Sequence, residues 1–273
     1  MFDWKVTHMS YKTSMKLRPF EKPLSHLVSD GGLTGIFGKI CIVGDSLSSG
    51  EVEYYLPDGS RHCFDMYEYS WGDYLGKMTG SKILHMSYGG ASAKSIIDSA
   101  KENDYFTPSF KADAYIVALG YNDMLGCARK VGTLQDMDNY ESNTVIAHYY
   151  HLIQELQKLN QEARFFFVTL AKTSFWPKER QELIKEHRAM LYALAKIVPH
   201  AYVLDIYKYG PKHNLSFKKK FYQADHLNFE GYYLYAKLFC SYIDFLIRKE
   251  PISFLPQSYY EEVTKGTKDL LAK

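Results

Sequence analysis

The chain has 273 residues, 46% of them hydrophobic, and a formal net charge of +2. That is enough to bury one large core, and it carries no basic stripe of the kind that binds nucleic acid. No stretch reaches the roughly 20 apolar residues of a membrane span, and Met1-Phe2-Asp3-Trp4-Lys5 lacks the apolar core of a secretory leader, so a cytoplasmic chain without membrane insertion is expected.

Residues 1–37 show no clear periodicity and read as an N-terminal extension. Short apolar runs follow at Lys39–Val43, Lys82–Met86, Ala114–Leu119, Arg164–Leu170 and Ala201–Ile206. Runs of this length, rich in β-branched and aromatic residues, predict buried parallel strands. Between the first two, Leu56-Pro57-Asp58-Gly59 is a turn signal between tyrosine-rich flanks, which predicts a hairpin or lid over residues 50–68. Val145, Tyr149, Leu152, Leu156 and Leu159 make one apolar helix face. Leu183, Ile184, Met190, Leu191 and Leu194 make another, behind Pro177 at the helix start. Lys218-Lys219-Lys220 reads as a solvated loop, and Asn228 as the N-cap of a last helix reaching about Arg248. Residues 251–273 read as a tail with a short helix. Strand–helix alternation predicts a parallel sheet with helices on both faces, within a single domain over residues 38–250.

The four cysteines, Cys41, Cys63, Cys127 and Cys240, have no paired spacing and read as reduced thiols. His148 and His151 share a helix face, but no third metal ligand is apparent. The 24 tyrosines suit sugar rings as well as core packing, and nothing indicates an oligomeric state.

The first strand stops at Gly44-Asp45-Ser46-Leu47, which places a serine hydroxyl beyond the carboxyl end of a sheet, where open α/β sheets bind ligands. A serine needs a base to attack a carbonyl, and donors for the oxyanion that forms. His226, between the fifth strand and the last helix, is the base candidate, since imidazole titrates near neutrality. The donor candidates are the Ser46 backbone, Gly89 after the second strand, and Asn122 in Gly120-Tyr121-Asn122-Asp123 after the third. Asp45 and Asp123 are expected to brace these turns. Glu51, Tyr54 and Tyr55 are expected substrate contacts, since loops at strand ends carry specificity.

These blocks, in this order and spacing from about residue 39 to residue 248, resemble the SGNH, or GDSL, hydrolase superfamily. The resemblance implies a three-layer α/β/α sandwich with a flavodoxin-like, five-stranded parallel sheet. It also implies cofactor-free hydrolysis of a small-molecule ester through an acyl-enzyme, with Ser46 as nucleophile, His226 as base, and Gly89 and Asn122 in the oxyanion hole. A short acyl group, such as acetyl on a sugar, is the expected substrate class. No Gly-x-Ser-x-Gly elbow, Gly-x-Gly-x-x-Gly fingerprint or Walker loop competes with this reading.

Two positions depart from the family pattern. Ser87 stands where the family usually has asparagine. Gln223 stands where the family usually has an aspartate, three residues before the histidine. The expected orienters of His226 are therefore Gln223 or a backbone carbonyl, with Asp225 as an alternative. A weakly active or non-catalytic carbohydrate- or acyl-binding descendant, and an acyltransferase, stay open beside the hydrolase.

Overall fold

The computed structural model describes residues 16–255. Its strands, in chain order, are β1 (Lys39–Gly44), β2 (Val52–Tyr55), β3 (Arg61–Phe64), β4 (Lys82–Ser87), β5 (Ala114–Ala118), β6 (Arg164–Val168), β7 (Ala201–Leu204), β8 (Tyr222–Gln223) and β9 (His226–Leu227). The α-helices are α1 (Ser46–Ser49), α2 (Trp71–Thr79), α3 (Ala93–Asp98), α4 (Val145–Leu159), α5 (Lys178–Ile197), α6 (Ile206–Tyr209), α7 (Leu215–Phe221) and α8 (Phe229–Lys249).

Five parallel strands form the central sheet in the order β4-β1-β5-β6-β7, while β2–β3 and β8–β9 are separate two-stranded ribbons. The five-stranded order is that of a flavodoxin-like sheet, as expected. Alternation along the strands sorts side chains to two faces. Cys41, Val43, Tyr115, Val117, Phe165 and Phe167 face one core with α3, α4 and α5. Ile40, Ile42, Ala114, Ile116, Phe166 and Val168 face the other with α2 and α8. Both faces are covered, so the inner strands β1, β5 and β6 are almost wholly buried and read as apolar runs.

The strand predictions locate all five sheet strands, but the fourth and fifth end earlier than expected, at Val168 and Leu204. Asp205 causes the earlier end of the fifth. Its carboxylate caps α6, accepting from the Lys208 N–H at 3.1 Å, so Ile206 begins a helix. Pro177 sits just ahead of α5 and Asn228 caps α8, its Oδ1 accepting from Gly231 N–H at 2.9 Å. Residues preceding β1 lie along α8: Leu33 N–H donates to Asp244, and Arg248 pairs with Glu21. Phe254 is buried after α8, whereas the short helix expected further on lies outside the described residues. Among the described residues, no helix is long and apolar enough to cross a membrane.

One buried tie fixes the end of β5 just ahead of Asn122. The fully buried Tyr149 hydroxyl donates to Leu119 O at 2.7 Å and accepts from Leu119 N–H at 3.1 Å. Tyr149→Phe leaves both backbone groups without partners and is expected to lower the unfolding free energy by about 1–3 kcal/mol, read by urea denaturation.

Candidate active site

β1 and β5 are neighbours at the point where the strand order reverses, and the crevice beyond their carboxyl ends is where this sheet type binds ligands. Ser46 opens α1 there. Asp45 caps this turn, accepting from Leu47 N–H at 3.1 Å, and its burial pushes its pKa up to about 7. Gly44 is required by the same tightness: a Cβ there would run into the Ser48 side chain.

His226 arrives from the opposite side of the crevice on the β8–β9 ribbon, whose turn is closed by Ala224 at φ +56°. Its Nε2 lies 3.0 Å from Ser46 Oγ. Its Nδ1 lies 2.9 Å from Glu53 Oε2. The expected orienters are therefore corrected. In the two-residue turn Gln223 pairs directly across from His226 and remains exposed, contacting neither ring nitrogen. Asp225 also points away, to Lys218 Nζ at 3.0 Å. Asp225 contributes through its backbone instead, its N–H donating to Glu53 Oε2 at 3.3 Å.

Glu53 lies on β2, inside the hairpin expected over residues 50–68. Its side chain is fully enclosed. Burial works to raise its pKa, but hydrogen bonds from Arg61, His226, Tyr55 and the Asp225 backbone outweigh that and hold it at about 2. Arg61 Nε reaches Oε1 at 2.6 Å from the partner strand, and the Tyr55 hydroxyl donates to Oε1 at 3.0 Å. Sequence reasoning missed Glu53 because its partner is 173 residues away. The available signal was a glutamate at an inward position of a two-stranded hairpin with an arginine on the facing strand.

Gly89 and Asn122 follow β4 and β5, the strands on either side of β1. Asn122 starts a π-helical turn after β5 and its Nδ2 donates to Ala91 O at 3.0 Å. Gly120, at φ +120°, passes so close to the His187 ring that a Cβ would collide with it. Asp123 is buried, which pushes its pKa up to about 6, and it accepts from Ala93 N–H at 3.0 Å. Gly89 N–H lies 3.3 Å from Asp65 Oδ2, and a Cβ on Gly89 would strike the Glu51 carboxylate. Ser87 is buried with its Oγ 3.2 Å from His85 Nδ1. Of the expected substrate contacts, Glu51 is buried, 3.2 Å from His226 Nε2. Tyr54 is exposed and stacks on His62. Tyr55 lines an open cavity of about 610 Å³ with Leu215, Lys218, Tyr222, Ala224 and Asp225. His148 and His151 stand apart from this site, both against the Tyr140 ring.

A hydroxyl, an imidazole and a carboxylate stand in hydrogen-bonded series at the switch point of a parallel sheet, the arrangement that can activate a serine hydroxyl. The chain belongs to the GDSL-like lipase/acylhydrolase family, whose profile matches residues 42–234. Similar solved folds include a possible lipase from Chitinophaga pinensis DSM 2588, with 15% identity over 77% of this chain and 98% of that one, TM-score 0.55. A carbohydrate esterase family 2 enzyme with a carbohydrate binding domain from Corynascus thermopiles (Myceliophthora fergusii) matches at 15% identity, TM-score 0.53, over 75% of this chain and 65% of that one. An acetyl xylan esterase matches at 18% identity, TM-score 0.50, over 74% and 98%. No curated protein matches the chain.

The depressed Glu53 pKa has a consequence for stability. Its folded value, about 2, lies below the ordinary 4.5, so its contribution is complete above pH 4.5 and is lost as the pH falls toward 2. The unfolding free energy of the native protein is expected to fall more steeply through that window than that of Glu53→Gln, measured by denaturant titration at each pH.

Proposed function

We propose that the protein is a serine ester hydrolase working through the series Ser46–His226–Glu53. The observation that carries this is the pair of hydrogen bonds on one imidazole, 3.0 Å to Ser46 Oγ and 2.9 Å to the enclosed Glu53 carboxylate. Glu53 holds a hydrogen on Nδ1, which leaves the Nε2 lone pair for the serine proton. Ser46 attacks the ester carbonyl while His226 takes its proton. Its own N–H, orphaned at the first position of α1, together with Gly89 N–H and the Asn122 amide, receives the oxyanion. His226 then protonates the leaving alcohol, and water releases the acyl group by the same route in reverse.

The Glu53 carboxylate supports the hydrolase over a binding-only descendant, because it supplies the acid that position 223 lacks. For the substrate, we favour a short acyl ester, such as acetyl on a sugar or another small molecule. The cavity bordered by Tyr55 and Tyr222 suits the alcohol part. The likeness to folds named as a carbohydrate esterase and an acetyl xylan esterase points the same way.

A chain-length series of acyl esters tests this. Ser46→Ala is expected to abolish turnover and labelling by a serine-directed phosphonate; full activity in that variant overturns the assignment. Glu53→Gln is expected to lower kcat by about 10²–10⁴ with KM little changed, by analogy with the loss of the acid's charge in a protease triad. Gln223→Asp is expected to leave kcat within about twofold, because that side chain faces solvent; a large gain there would return the orienting role to position 223.

A further inference from the structure

The space an ester carbonyl must enter is already filled by a carboxylate. Glu51 is 8% exposed. Its Oε1 lies 3.2 Å from His226 Nε2, the nitrogen that also faces Ser46 Oγ at 3.0 Å. Its Oε2 lies against Gly89, where a Cβ would collide with it. Gly89 N–H is also engaged, with Asp65 at 3.3 Å, while Asn122 Nδ2 gives one of its two hydrogens to Ala91 O at 3.0 Å.

Two physical points follow. An imidazole that faces a carboxylate from each nitrogen satisfies both only when both nitrogens carry hydrogen. In that form it cannot take the Ser46 proton. The pocket is also strongly anionic. Among the described residues, His226 is the ion-pair partner of Glu51, and Asp65 is held by Ser49 Oγ and Gly89 N–H without a lysine or arginine. The Glu51 backbone is pinned, its N–H to Ser46 O at 3.0 Å and its carbonyl to the Tyr232 hydroxyl at 2.8 Å. Only its side chain, which also contacts the Cys63 thiol, can leave the pocket without moving the backbone.

We propose that Glu51 is the specificity-determining residue of this site: its carboxylate occupies the carbonyl position at rest, and a substrate binds by displacing it. The site therefore takes esters that are uncharged or positively charged beside the carbonyl, and rejects those with an anionic acyl chain. This rests on the esterase reading above. A cationic group gives the displaced carboxylate a new partner, whereas an anionic one adds like charge beside Glu51 and Asp65.

The test uses p-nitrophenyl esters of butanoate, hemisuccinate and 4-(trimethylammonio)butanoate, with native protein, Glu51→Gln and Glu51→Ala. Native protein is expected to prefer the uncharged ester to the hemisuccinate by at least about tenfold in kcat/KM, with the cationic ester equal to or better than the uncharged one. In Glu51→Gln, turnover of the uncharged ester is expected to rise, mainly through a lower KM, and the discrimination against hemisuccinate to shrink. Native protein that turns over hemisuccinate as well as butanoate overturns the proposal, with no variant needed. So does a Glu51→Gln that is slower on all three esters in unchanged ratio, which would make Glu51 part of the machinery rather than its occupant. Phosphonate labelling of Ser46, read by mass spectrometry, separates this inference from its parent. Faster labelling in both variants supports displacement, and equal labelling in native protein and variants sinks this inference alone. Absence of label in all three sinks the esterase reading and this one with it.

Discussion

The contact between Glu53 and His226 Nδ1 is the constraint around which this site is organised. A carboxylate taken out of water is costly unless its lone pairs are satisfied. Here the compensation comes from three places: Arg61 on the facing strand, Tyr55 two residues on, and the Asp225 backbone beside the base itself. The hairpin, the β8–β9 turn and the imidazole thus form one electrostatic unit. Asp225 N–H and His226 Nδ1 converge on the same oxygen, so the turn that carries His226 is fixed by the carboxylate that holds its ring.

That arrangement explains what could be read in the sequence. Ser46 and Asn122 each follow a strand that is buried on both faces, and such strands show as nearly uninterrupted apolar runs; Gly89 follows the half-buried edge strand β4, whose run is broken by His85. Once the runs are parallel and adjacent, their carboxyl ends share one edge, and whatever follows them meets there. His226 was legible for the same reason, lying between the last strand and a well-capped helix. Glu53 was not. Its ribbon is not part of the central sheet, and neither β2 nor β3 carries an apolar run. Its burial depends on Arg61 and on a turn 173 residues away, which no local pattern encodes. The same limit applies to the short β8–β9 ribbon. Residues 222–227 are too few to show a period, yet it is their pairing that turns Gln223 outward.

Glu51 and Glu53 are two positions apart on one extended stretch, so their side chains leave the backbone on the same side. One reaches Nδ1 and the other Nε2. A single segment therefore contacts both nitrogens of one imidazole. The geometry limits how the site opens. Lifting the hairpin would expose Gly89 but would also withdraw Glu53, leaving the imidazole without its orienter. Rotation of the Glu51 side chain alone clears Nε2 and Gly89 while its pinned backbone and Glu53 stay in place. Side-chain rotation is a small, fast motion compared with displacement of a hairpin. The imidazole then stays held at Nδ1 while the space beside Nε2 opens.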